Sequence, residues 1–259
     1  MMMLTDTELS SFRRDGVIIR RGAVPEDTWR PALDLIEANY PAQASADQIA
    51  AYTQRTFAPQ LERHPTLLRL LTESAAWPLA CDLLGQVAPV EQVQIQIRIP
   101  EYDAPGPQPV KAMHVDGVAC PHLDPDELRT FSLLVGIPLT DVRDRDAGAL
   151  HYLPGGHHEM ASWFATEWAL GMTEQTPPDI DLQGGTPFLA ETGDLLLMHH
   201  LVPHRVGTNK AQTPRIAAYF RLSHLGLATH RLQALSNPWI DYPHLAAPST
   251  DPASEGTTS

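Results

Sequence analysis

Gly193-Asp-Leu-Leu-Leu-Met-His-His-Leu-Val-Pro-His-Arg-Val-Gly-Thr-Asn-Lys-Ala-Gln-Thr-Pro-Arg215 is the stretch on which the reading of the 259-residue chain turns. It reads as two short strands joined by a tight polar turn, with His204 just past the first strand and Arg215 opening the second. In an antiparallel hairpin the two side chains would point to the same side, one strand apart. Taken alone, a surface hairpin with an exposed arginine fits the pattern better, so what the rest of the chain supplies decides between them.

Upstream, Val93-Gln-Ile-Gln-Ile-Arg-Ile99 alternates strictly, placing Val93, Ile95, Ile97 and Ile99 on one face and Gln94, Gln96 and Arg98 on the other. That suits the wall of a barrel with a polar lumen, and equally a surface strand with its polar face in water. Further strand-like segments are 130–139, 149–153, 193–200 and 215–222, separated by Pro, Gly and Asp turns, so a sandwich or barrel is expected. Before residue 90 the pattern is helical. Thr5 caps a helix that stops at Asp15-Gly16, and Val17-Ile-Ile-Arg-Arg is a first strand. Pro25 opens a second helix to about Asn39, with Trp29, Leu33, Ile36 and Tyr40 on one face. Two more helices follow in 64–84, ended by Gly85. Residues 41–60 have weak periodicity and suit a loop or broken helix near a site entrance, and 246–259 has the composition of a disordered tail. The expectation is one domain over 1–245: a helical part to about 90, a β core over about 91–225, and N-terminal helices packed on one sheet.

Composition excludes several functions. With 31 acidic against 18 basic residues the formal charge is −13, which disfavours nucleic-acid and anionic-membrane partners. A CoA thioester or nucleotide is disfavoured too, unless a local basic pocket forms from Arg98, Lys111 or Arg221. The two cysteines, Cys81 and Cys120, make neither a CxxC nor a repeated spacing, so no disulfide framework or zinc ribbon is expected. The N-terminus lacks a signal-peptide pattern and no apolar run approaches the roughly 20 residues of a membrane helix. A cytoplasmic protein, monomer or homodimer, is expected, acting on a small molecule.

His114-Val-Asp116 carries the chemistry. On a strand or its fraying end, residues two apart point to one face, so imidazole and carboxylate can share a metal. A third ligand is needed from elsewhere. Two histidines and one carboxylate on one side of an octahedron form the facial triad of non-haem iron(II) oxygenases. His204 is the candidate for the third position, with His200 its rival, because His199 and His200 are adjacent and only one can face inward. Arg215, one strand from His204, suits a bidentate charge-assisted pair with the far carboxylate of a dicarboxylate whose 2-oxo-acid end chelates the iron.

Together, His114-Val-Asp116, Gly148-Ala-Leu-His-Tyr-Leu-Pro-Gly-Gly-His157, Gly193-Asp-Leu-Leu-Leu, His204 with Asn209, and Arg215 resemble the phytanoyl-CoA dioxygenase family. Phe12-Arg-Arg-Asp-Gly-Val-Ile-Ile-Arg resembles its opening helix and strand, so the likeness spans roughly 5 to 225. The resemblance implies a double-stranded β-helix (jelly-roll, cupin-like) core, mainly β with flanking helices. It also implies an iron(II)- and 2-oxoglutarate-dependent dioxygenase that consumes O₂, releases succinate and CO₂, and hydroxylates a metabolite. It makes His114, Asp116 and His204 the ligands and Arg215 the 2-oxoglutarate anchor. Two departures matter: Gly155-Gly-His157 stands where the family often has Gly-Ser-His, and Val115 where it often has Gln. The missing amide contact must then come from elsewhere, with Gln96 the first candidate and Ser132 the second. Related halogenases have Gly or Ala at the position of Asp116, so hydroxylation is favoured. Two alternatives are a cupin-like metal enzyme without 2-oxoglutarate, which would not need Arg215, and a catalytically silent metal-binding jelly roll. Trp163, Phe164, Trp168 and Met172, in the long segment after His157, and Trp239 and Tyr242 near the end, either pack on the scaffold or cover the substrate pocket.

Overall fold

A computed structural model describes residues 4–39, 56–102, 110–118, 128–167 and 185–246. Most of the expected loop at 41–60, together with Tyr40, Cys120, Trp168, Met172 and the tail from 247, lies outside these residues.

Helix α1 (Asp6–Asp15) begins with a reciprocal cap. The Thr5 hydroxyl accepts from Glu8 N at 3.2 Å, while the Glu8 carboxylate accepts from Thr5 N at 2.8 Å. It ends at Gly16, whose φ of 76° turns the chain into β1 (Val17–Arg20). Then come α2 (Glu26–Ala38), α3 (Pro65–Thr72) and α4 (Ala76–Leu84). Proline opens α3, where its missing N–H costs nothing, and Gly85 closes α4.

From here the chain builds antiparallel sheet. β2 (Gln94–Arg98), β3 (Leu133–Pro138), β6 (Leu195–His199) and β8 (Arg215–Leu222) join β1 in a five-stranded sheet of order β1-β6-β3-β8-β2. β4 (Leu150–Tyr152), β5 (Thr186–Pro187) and β7 (His204–Val206) form a three-stranded sheet of order β5-β4-β7. Helix α5 (Gly156–Thr166) follows β4, and α6 (Leu227–Ser236) follows β8.

Period-two alternation sorts the larger sheet into two faces. Ile95, Ile97, Leu133, Val135, Ile137, Leu195, Leu197, Ile216, Ala218 and Phe220 join Phe12, Ile36, Leu70, Leu71, Leu79 and Leu83 of the four helices in one core cluster. The opposite face contributes Leu134, Leu196, Met198, Ala217 and Tyr219 to a second cluster with Leu150 and Tyr152 of β4. The larger sheet is therefore the middle layer, with helices on one side and the smaller sheet on the other. A one-residue slip of β2 or β8 would drive Arg98 or Arg215 into the helix-facing core, and each displaced large apolar side chain would cost about 1.5–3 kcal/mol. The polar face of β2, Gln94, Gln96 and Arg98, lines a cavity rather than an open surface.

The stretch from Gly193 departs from the hairpin expected of it. His204 opens its own strand, β7, which pairs with β4, whereas Arg215 opens β8, which pairs with β2 and β3. The two residues lie on different sheets. Pro203 lacks the N–H needed to continue a ladder, so the chain crosses from one sheet to the other between His199 and His204.

Candidate active site

His114 is tied to β7 by an isolated antiparallel bridge: its N–H donates to His204 O at 3.1 Å, and His204 N–H donates to His114 O at 3.0 Å. Alternation then sends His114 and Asp116 inward. Val115 turns the other way and packs against the apolar cluster that includes Leu128, Met160 and Phe164, which explains why an apolar residue stands between two polar ones. Asp116 Oδ1 lies 3.6 Å from His114 Nε2, and Oδ2 lies 3.8 Å from His204 Nε2. One ligand atom from each residue falls within 4.8 Å of the other two.

Both imidazoles are oriented alike. His114 Nδ1 faces Ala112 O at 2.9 Å and His204 Nδ1 faces Val202 O at 3.0 Å. A carbonyl only accepts, so Nδ1 carries a proton in each ring and Nε2 is the nitrogen turned to the shared space. Burial, and then the neighbouring His204, push the His114 pKa down and favour the neutral form of that ring. Burial opposes ionisation of Asp116, but His204 and the Arg221 guanidinium outweigh it and hold the carboxyl well below the usual range. Two imidazole nitrogens and one carboxylate are the donor set of a divalent transition metal with open positions.

The three residues line a cavity of about 110 Å³ whose wall also includes Gln94, Gln96, Arg98, Arg215, Tyr219 and Arg221. Arg215 is 4% exposed; its Nη2 donates to Tyr219 Oη at 2.8 Å, and Nη1 is buried with no partner among the described residues. An unsatisfied buried guanidinium N–H is costly unless something fills it, and a carboxylate is its natural complement. Arg98 is 3% exposed and directly opposite Arg215 on β2. Burial, then the charge of Arg215, lower its pKa to about 10. Two glycines make room for this arrangement. A Cβ on Gly136 would stand 2.9 Å from Tyr219 Cε1, and one on Gly148 would stand 3.2 Å from Cβ of both arginines. Asn209, fully buried, donates to Arg98 O at 2.8 Å and Thr213 O at 2.9 Å, stapling the β7–β8 turn against β2.

The remaining sequence candidates separate cleanly. Gln96 lines the cavity. Ser132 does not: its hydroxyl donates to Asp241 Oδ2 at 2.5 Å and accepts from His224 N at 2.9 Å. It belongs to a different cluster, made with His230, which pairs with Asp241 at 2.6 Å. His200, the rival ligand, faces Ser132 O at 3.2 Å and is absent from the cavity wall, and His199 stacks on Tyr242. Tyr242 and Trp239 pack on Phe12 rather than covering the pocket. Arg98, Lys111 and Arg221, the one basic pocket the sequence allowed, all reach the wall, joined by Arg205. What the sequence did not reveal is that Arg221 pairs with Asp116, a contact 105 residues apart.

A family model described as "Phytanoyl-CoA dioxygenase (PhyH)" matches residues 12–217. A search of curated protein sequences gives no match. Among solved structures of similar fold is the "non-heme alpha ketoglutarate dependent carbocyclase SnoK from nogalamycin biosynthesis", with a TM-score of 0.59 and 19% identity, covering 85% of this chain and 83% of that one. The epimerase SnoN from the same biosynthesis gives 0.58 and 17%, covering 84% and 82%. HygX from Streptomyces hygroscopicus, with nickel and 2-oxoglutarate bound, gives 0.58 and 16%, covering 86% and 88%. At these identities the likeness is one of fold.

Proposed function

The chain belongs to the phytanoyl-CoA dioxygenase family, an iron(II)- and 2-oxoglutarate-dependent class of oxygenases, and on that footing we propose that it hydroxylates a small-molecule metabolite. The balanced reaction joins substrate, 2-oxoglutarate and O₂ to give the hydroxylated product, succinate and CO₂. On this reading residues 1–245 form one catalytic unit, and the two sheets are the walls of a double-stranded β-helix. His114, Asp116 and His204 hold the iron, Arg215 anchors 2-oxoglutarate and Gln96 assists. When bound, the iron supplies the redox chemistry that couples oxidation of 2-oxoglutarate to insertion of oxygen into a C–H bond.

The protein's share is positioning. The carbonyls of Ala112 and Val202 hold Nδ1 of the two histidines, so each ring is turned with Nε2 toward the position a metal would take. Tyr219 takes one N–H of Arg215 and aims the guanidinium, leaving Nη1 for the distal carboxylate of the co-substrate. Leu134 and Leu150 line the same cavity with hydrocarbon and limit water beside the reacting carbon. SnoN and HygX have been solved with nogalamycin RO and hygromycin B, and a small organic substrate is proposed here by analogy with them.

One observation carries the proposal: a two-histidine, one-carboxylate cluster shares a cavity with a buried arginine that has an N–H to spare. A metal site with no dicarboxylate co-substrate would leave that N–H unexplained. The test is succinate formation from 2-oxoglutarate with iron(II) and O₂. His114→Ala, Asp116→Ala and His204→Ala are expected to abolish it, and equal turnover in all three would refute the ligand assignment.

A further inference from the structure

Asp116 is held by Arg221 in an asymmetric way. Arg221 Nε and Nη2 both donate to a single oxygen, Oδ2, at 3.1 and 2.5 Å. A guanidinium can engage both oxygens of a carboxylate, as Arg14 does with Asp15, at 2.9 Å to Oδ1 and 2.6 Å to Oδ2; where Arg143 grips only Oδ2 of Asp141, the other oxygen has its own partner, Thr192. Here Oδ1 is left free of the guanidinium and lies 3.6 Å from His114 Nε2, while Oδ2, 3.8 Å from His204 Nε2, carries both guanidinium bonds. Arg221 is itself braced: Nη1 donates to Gln94 Oε1 at 2.5 Å, and its guanidinium lies 5.6 Å from the Phe131 ring centroid. Gln94 stands on β2 and Arg221 on β8, so two strands of the larger sheet aim the fork at one oxygen.

Counting coordination positions gives this grip a purpose. A six-coordinate iron with three single-atom protein ligands keeps three positions open. A chelating 2-oxo acid and O₂ need three between them. A carboxylate that swung round to grip the metal through both oxygens would leave two. We propose that Arg221, braced by Gln94, is a positioning residue that occupies Oδ2 and so confines Asp116 to one coordinating oxygen. The inference rests on the iron reading above.

A positioning role of this kind has effects of opposite sign. A cation beside a metal ligand repels the metal, so removing it should leave metal binding as tight or tighter. The freed carboxylate then takes the position that 2-oxoglutarate needs, so co-substrate binding weakens. A brace that merely supported the fold would weaken both together.

The experiment follows cobalt(II) affinity of the full chain, and separately the anaerobic iron(II)–2-oxoglutarate absorption as 2-oxoglutarate is titrated. For Arg221→Met the expected result is cobalt(II) affinity equal to or above wild type. The 2-oxoglutarate concentration for half-development of the absorption should rise about tenfold or more, the scale of losing a charge-assisted hydrogen bond. Arg221→Lys, a single point charge without the fork, should fall between. If Arg221→Met does not fold, Gln94→Ala carries the test, with a smaller shift of 2-oxoglutarate in the same direction and no loss of cobalt(II). An unchanged 2-oxoglutarate requirement, or parallel weakening of metal and co-substrate, overturns the proposal. No absorption in the wild type would remove the iron reading and this inference with it.

Discussion

The backbones of His114 and His204 donate to each other's carbonyls, at 3.1 and 3.0 Å, so two distant parts of the chain hold the candidate ligands side by side. A metal held by residues that only the fold brings together binds the folded chain and not the unfolded one, so it should stabilise the protein by mass action. At a hundredfold excess over the dissociation constant the gain is about 2.7 kcal/mol. Thermal unfolding with and without nickel(II) should show an upward shift in the wild type that is lost in His204→Ala. A shift that survives that substitution would place the metal elsewhere.

Arg215 and Arg98 stand opposite each other on neighbouring strands, both buried. Holding two like charges there costs stability and is retained, on the reading above, for co-substrate binding. Arg215→Met, similar in reach and apolar, is therefore expected to melt no lower than wild type without 2-oxoglutarate, and to lose the stabilisation that metal plus 2-oxoglutarate confers. If the variant falls by more than about 2 kcal/mol in the absence of 2-oxoglutarate, the arginine is a structural element.

A stack of buried imidazoles sets the acid limit. Burial, then the adjacent His158, lowers His157 to about 4, burial lowers His200 to about 4, and His199 is pushed well below its usual range. In the unfolded chain these groups take a proton near pH 6.5. Below that value the unfolded state binds more protons than the native one, so stability is complete above about 6.5 and is lost as pH falls towards about 4. Each group contributes a slope of about 1.4 kcal/mol per pH unit within that window. Urea midpoints between pH 7.5 and 4.5 should trace the loss, and His157→Gln should flatten it by about one proton. Midpoints that hold constant down to pH 5 would contradict it.

How much of this was legible in the sequence depends on the range of the interaction. The Thr5–Glu8 cap, the alternation around Ile95 and Ile97, and the His114–Asp116 spacing are local patterns, and the structure carries each of them. The separate strand at His204 was not legible, because β7 has three residues, too few to show a period. Helix α6 was missed because it is broken at His230, with φ −135° and ψ 25°, and presents no continuous apolar stripe. That Ser132 lies off the cavity wall was not legible, because strand alternation does not reveal that Asp241, 109 residues later, takes its hydroxyl. The Asp116–Arg221 contact was invisible for the same reason: two polar residues lining one cavity say nothing of which will meet.

Gly136 and Tyr219 are partners across β3 and β8, and the missing side chain of the first is the space occupied by the ring of the second. Gly136→Ala would set a methyl 2.9 Å from Tyr219 Cε1, a separation that forces the ring to move. Overpacking of this kind costs about 1–3 kcal/mol. The functional consequence follows from where the ring ends, because Tyr219 Oη accepts from Arg215 Nη2 at 2.8 Å and displacing it releases the anchor. Gly136→Ala is expected to raise the 2-oxoglutarate requirement severalfold while leaving metal affinity unchanged, since the Tyr219 hydroxyl holds Arg215 and not a candidate metal ligand. Tyr219→Leu should raise that requirement by itself. In the Tyr219→Leu background the alanine should then add little, because residues that act through one contact are not additive. Full additivity in that double-mutant cycle would mean that Gly136 matters through the sheet backbone and not through Tyr219.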